Sequence, residues 1–129
     1  MPDDDRWTRS DAWFAAAVAS CGGHTSLTEV IAVGDAINHA IFMRSEIEQA
    51  VRRLAAAGLL ETQPGPTFEL TREGAALLAR RTGGMIGQTD SVMKLLIDVP
   101  VPTVVDPWSL SESQVDEAYR GYIQSTHRS

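Results

Sequence analysis

The spacing of apolar residues changes period along this chain, and the changes mark its elements. Phe14, Ala17, Val18 and Cys21 recur three and four residues apart, which predicts a helix over about Ser10 to Cys21, stopped by Gly22-Gly23. A second stripe runs through Leu27, Val30, Ile31, Gly34, Ile37 and Ile41. Ser26 and Glu29 precede it at capping-box spacing: the serine oxygen accepts from the amide of residue 29, and Glu29 reaches back to the amide of Ser26. Glycine costs about 1 kcal/mol relative to alanine inside a helix. Its place on this stripe at Gly34 therefore implies the close approach of another helix. Ser45 and Glu48 repeat the cap before a third stripe, Ile47, Ala50, Val51, Leu54 and then Ala57 or Gly58.

The period then shortens. Leu59 to Thr62 and Thr67 to Leu70 read as two short strands around the turn Gln63-Pro64-Gly65-Pro66, a hairpin that needs helices over one face. Leu59, Phe68 and Leu70 are the residues expected to hold it down. Thr71 caps a fourth helix over about Arg72 to Arg81, ended by Gly83-Gly84. Asp90 or Ser91 is the expected cap of a short helix through Val92, Leu95 and Leu96. Pro100, Pro102 and Pro107 then predict an extended connector from Val99 to Trp108. A last amphipathic helix carries Val115, Ala118, Tyr119, Tyr122 and Ile123, capped by Ser109 with Glu112 or by Ser111 with Gln114.

The expected organisation is an acidic tail over residues 1–9, a domain over 10–84, and a connector with a C-terminal helix over 85–129. That helix packs on the domain or forms a dimer interface. At 129 residues, 43% of them hydrophobic, the chain suits one folded domain. No apolar run approaches a membrane span and no basic n-region opens the chain, so neither a membrane role nor a secretory leader is expected. Cys21 is the single cysteine, which excludes an intrachain disulfide and favours the cytoplasm. The net charge of −6 is uneven: residues 1–43 carry −4, residues 44–81 carry +1 and residues 82–129 carry −3. Any surface that meets phosphate must draw on the middle third.

Three helices, a hairpin and a further helix follow the winged helix-turn-helix order. Gln49 to Glu61, with Leu54-Ala55-Ala56-Ala57-Gly58-Leu59-Leu60, resembles the end of a recognition helix entering a wing. Phe68 to Leu78, with Leu70-Thr71-Arg72-Glu73-Gly74, resembles the second wing strand and the next helix. Both phrases are similar to those of MarR-like and PadR-like regulators. Asp35-Ala36-Ile37-Asn38-His39-Ala40-Ile41 resembles a phrase of small uncharacterised bacterial winged-helix proteins, a likeness that brings no activity. The resemblance implies a mainly α fold with a small two-stranded hairpin and a C-terminal accessory helix, and a dimeric regulator that binds double-stranded DNA.

On that reading Arg44, Ser45, Gln49, Arg52 and Arg53 are the exposed polar residues of the recognition helix, and Arg72 adds a cation beyond the wing. Two features weigh against it. Glu46 and Glu48 sit at the helix start, where they repel phosphate, and the wing tip from Gln63 to Thr67 holds no Lys or Arg. The alternative is a protein-interaction or assembly module on the same fold. Trp108, Val115, Tyr119, Tyr122 and Ile123 are then the anchor set for a homodimer or another protein partner. Asn38 and His39, near Asp35 on one helix surface, form a weak ligand candidate against a plain helix end. His24, His39 and His127 lie far apart, so no metal site is expected. Cys21 lies on an apolar stripe and reads as core. No glycine-rich phosphate loop follows a strand. An enzyme and a cofactor are therefore not expected.

Overall fold

Thr8 and Asp11 close a capping box over the first turn of α1 (Arg9–Ser20). The Thr8 hydroxyl accepts from the Asp11 amide at 3.3 Å and the Asp11 carboxylate from the Thr8 amide at 2.9 Å. The computed structural model describes residues 6–84, 87–105 and 107–127. Every residue of α1 from Asp11 to Val18 is buried. A helix covered on all sides belongs at the centre of a fold, and α2 (Leu27–Asn38), α3 (Arg44–Ala56), α4 (Arg72–Leu78) and α5 (Gln88–Leu96) all pack against it. The last helix, α6 (Glu112–His127), lies along α2. None of the described helices is long and apolar enough to cross a membrane.

The strands are β1 (His24–Ser26), β2 (Leu60–Gln63) and β3 (Thr67–Leu70), antiparallel in the order β1-β3-β2. Phe68 of β3 stands opposite Thr25 on one side and Thr62 on the other. Its buried ring meets Phe14 of α1 edge-on at 5.2 Å and Trp108 at 5.9 Å. Leu59 is buried beside it and Leu70 is half-buried, so the ribbon is held by the residues expected to hold it. The two-stranded hairpin expected from the sequence is corrected to a three-stranded sheet. Three residues are too few for alternation to show, and β1 exists because β3 supplies its partners.

Local caps explain most boundaries. Ser26 and Glu29 form their capping box, Thr71 accepts from the Gly74 amide at 3.0 Å, and Ser111 pairs with Gln114 rather than Ser109 with Glu112. The expected Ser45–Glu48 box does not form. Extended Met43 is the N-cap, and its amide donates to Glu46 at 2.8 Å, which places Ser45 inside the first turn. Neither Asp90 nor Ser91 caps α5, which starts after Gly87; Asp90 pairs with Arg9, and the Ser91 hydroxyl accepts from the Thr82 amide. The fourth helix ends at Leu78, short of Arg81.

The tail also needs correction. Trp7 is buried, and its indole N–H donates to the Val99 carbonyl at 2.8 Å, so residues 6–8 belong to the fold; residues 1–5 lie outside the described residues. Cys21 is not core: it occupies the C-cap of α1 and is half-buried.

The close approach expected at Gly34 is real, but its source is aromatic. The Phe42 ring would stand 2.3 Å from an added Cβ, and that ring stacks on Trp13 at 3.8 Å. Trp13 in turn donates to the Gly34 carbonyl at 2.9 Å. Gly74 is tighter still, since its Cβ would fall 2.0 Å from the Leu59 carbonyl oxygen, a backbone atom that cannot rotate away. Overpacking of this kind costs about 1–3 kcal/mol. Gly74→Ala should therefore lower the unfolding free energy measured in urea by an amount in that range, and the midpoint with it. Gly84→Ala, with nothing within 4 Å of the new methyl, should leave it unchanged. Equal midpoints for the two variants would show that α4 does not depend on this approach.

Candidate interaction face on the third helix

The apolar stripe of α3, Ile47, Ala50, Val51 and Leu54, is buried against the core. Its polar side is also covered, by the two ends of the chain. Asp11 is fully buried and accepts from the Arg53 guanidinium at 3.0 Å and from the Gln49 amide nitrogen at 3.4 Å. Arg53, 6% exposed, also donates to the Arg6 carbonyl at 2.6 Å. Gln49 adds a bond to the Thr8 hydroxyl at 3.2 Å. Glu46 accepts from the Ser10 hydroxyl at 2.7 Å. These bonds fix the start of α1 on α3.

The C-terminal connector is held on the same helix. Arg52 Nε donates to the Trp108 carbonyl at 2.5 Å, and the Leu110 amide donates to the Glu48 carboxylate at 2.8 Å. Val101 to Val104 line a cleft of about 510 Å³ opposite Gln49, Arg52 and Arg53. Further along, Val105 and Trp108 lie beside Ala55, Ala56 and Thr62. The hairpin tip has the same neighbour: Pro64, Gly65 and Pro66 share a cleft with Trp108 to Leu110 and Gln114. One segment thus lies across both α3 and the hairpin.

The residues proposed from sequence for DNA contact separate accordingly. Arg44 and Ser45, in the first turn of α3, are exposed, and so is Arg72 at the start of α4. Gln49 and Arg52 are half-buried and bonded to the chain itself, and Arg53 is buried in an ion pair. The expectation that Gln49, Arg52 and Arg53 are exposed is corrected. Periodicity shows that they leave the apolar stripe, but not that water covers the side they leave for.

The expected partner anchors are largely used inside the chain. Trp108, Val115 and Tyr122 pack on the core cluster, and the Tyr122 hydroxyl donates to the Asp35 carboxylate of α2. Ile123 is half-buried, whereas Tyr119 is 41% exposed. The Asp35–Asn38–His39 grouping does not converge. Asp35 is engaged by Tyr122, and exposed His39 takes the left-handed C-cap position at φ 53°, donating its amide to the Asp35 carbonyl at 2.6 Å. The helix is thus closed by His39 and not by Asn38. Among the described residues no three His, Cys, Asp or Glu side chains stand where they could hold a metal ion.

Asp11 and Glu48 are the positions that sequence reading missed as partners of other segments. Thr8 and Asp11 stand three residues apart, the capping-box spacing, which signals the first role of Asp11. Nothing local signals its pairing with Arg53, 42 residues away. Burial pushes the Cys21 thiol above its ordinary value of 9.0; a hydrogen bond with Thr25 opposes this and the Glu29 charge adds to it. A raised thiol is a poor nucleophile at neutral pH.

Two outcomes follow. Removing one partner of a buried ion pair strands the other charge, at about 3–5 kcal/mol. Arg53→Ala should destabilise the fold by that amount in urea titration, whereas exposed Arg44→Ala should stay within about 0.5 kcal/mol of the parent; similar losses would refute the burial of Arg53. Iodoacetamide at pH 7.5 should modify Cys21 at least about tenfold more slowly in the folded chain than in urea, and equal rates would contradict its shielding.

No protein-family model matches this chain, and neither a curated protein nor a solved structure does.

Proposed function

We propose that this chain is a protein-interaction or assembly module on a winged-helix fold, and that its third helix serves its own architecture and not base readout. The order α1-β1-α2-α3-β2-β3, with the sheet order β1-β3-β2, supports the winged-helix reading. The observation that carries the functional reading is the connector across α3, with Arg52 tied to Trp108 and Arg53 to Asp11. A recognition helix needs free side chains to meet base edges, and a wing needs cations to meet phosphate. Here the helix lies under its own chain, and the hairpin tip carries no Lys or Arg. The single cysteine fits a reducing cytoplasm.

The surface offered to a partner is the outer side of the connector. Val105 is 87% exposed beside exposed Ala55 and Ala56. Apolar surface of this kind is a usual site of association, and the partner proposed is a second copy of the chain. Light scattering should give a dimer that Val105→Asp returns to monomer. A monomeric parent would remove the homodimer from this reading.

Duplex DNA is the second reading, favoured by the exposure of Arg44, Ser45 and Arg72. Fluorescence anisotropy with random duplex at about 50 mM salt, where phosphate contacts act most strongly, separates the two. No binding is expected. Binding that falls steeply with salt and is weakened by Arg44→Ala and Arg72→Ala would overturn the interaction-module reading.

A further inference from the structure

We infer that the cleft between α3 and residues 101–104 is a binding site for a small organic carboxylate with an apolar body. The inference does not rest on the partner reading: the cleft is lined by Gln49, Arg52, Arg53 and residues 101–104, whereas the proposed partner surface centres on Val105, Ala55 and Ala56. Its volume of about 510 Å³ falls within the range of small-molecule sites, roughly 300–1,000 Å³. The α3 wall is formed by Gln49, Arg52 and Arg53.

The two guanidinium groups differ in what remains for a ligand. The charge of Arg53 is balanced by the Asp11 carboxylate at 3.0 Å. Arg52 gives its Nε–H to a neutral carbonyl, that of Trp108, and its terminal amino groups meet no partner among the described residues. Among the described residues the terminal donors of half-buried Arg52 are therefore left for a ligand, its stem fixed by the Trp108 bond and the acid one turn before it, Glu48, engaged by the Leu110 amide. A fixed guanidinium presents paired donors that match a carboxylate, and such charge-assisted bonds are about twice as strong as neutral ones.

The opposite wall defines the remainder of the ligand. Val101, Pro102 and Val104 offer aliphatic surface. Buried Asp11 lies behind Gln49, and the chain carries −6 overall, both of which disfavour a dianion. A monocarboxylate with a short aliphatic or aromatic body satisfies both walls.

The test uses benzoate and hexanoate as probes, with benzamide and hexanamide as neutral isosteres, read by amide NMR on the full chain. Both acids should produce saturable shifts at Gln49, Arg52, Thr103 and Val104 below about 10 mM, with the amides weaker by about tenfold or more. Arg52→Gln should abolish the preference for the acid, and Arg72→Gln, on exposed α4, should preserve it. Thr103→Trp fills the cleft from the connector side while leaving both arginines in the sequence, and should block binding. It decides the matter if Arg52→Gln loses the dispersed amide spectrum of a folded chain. Absence of saturable shifts, equal affinity for acid and amide, or unchanged binding in a folded Arg52→Gln or Thr103→Trp chain would each overturn the inference.

Discussion

The structure depends first on the carboxylate of Asp11. It is fully buried, and a buried charge is tolerated only where hydrogen bonds and an opposite charge replace water. Three donors do so: the Thr8 amide, the Gln49 amide nitrogen and the Arg53 guanidinium. The first closes the start of α1, and the other two come from α3. One carboxylate thereby fixes where α1 begins and how it is rotated against α3. Since α1 is the helix around which the others pack, that angle sets the fold. The Arg53 bond to the Arg6 carbonyl then draws the preceding residues onto the same spot, and Trp7 carries the tie on to Val99.

From that constraint follows the fate of the polar side of α3. An amphipathic surface helix normally gives one face to the core and the other to water. On α3 the second face also holds protein, with Glu46, Glu48, Gln49, Arg52 and Arg53 each bonded to another segment. The charge of +1 over residues 44–81 therefore overstates what that third offers to a polyanion, because the Arg53 charge is cancelled by an acid from the first third. Arg44, Arg72 and Arg80 are the fully exposed cations of that region.

How much of this was legible in the sequence depends on the range of each interaction. The caps at Ser26, Thr71 and Ser111 are decided within four residues, and the sequence shows the first two and narrows the third to Ser109 or Ser111. The Pro64–Pro66 turn and the apolar stripes are local in the same sense. The cap of α3 misled because two acids within one turn, Glu46 and Glu48, both offer a carboxylate; Glu48 is used by Leu110, which sequence spacing cannot reveal. β1 was hidden because its three residues are a strand only by virtue of β3. The candidate site was least legible. Polar residues off the apolar stripe of α3 look identical whether water or a connector covers them. What covers them is set by contacts 36 to 62 residues away.

Arg52 and Arg53 show how fine that division is. Successive residues on a helix are about 100° apart. Arg53 therefore points toward the start of α1 and meets Asp11, while Arg52 points toward the connector and meets only the dipole of the Trp108 carbonyl. The same side chain in adjacent positions is ion-paired in one case and bonded to a neutral carbonyl in the other. A cation held half-buried by a neutral partner keeps much of its attraction for an anion, because less water screens it than at an open surface. The rotation that Asp11 imposes on α3 thus leaves Arg52 at the cleft beside the connector with terminal donors that no described residue takes.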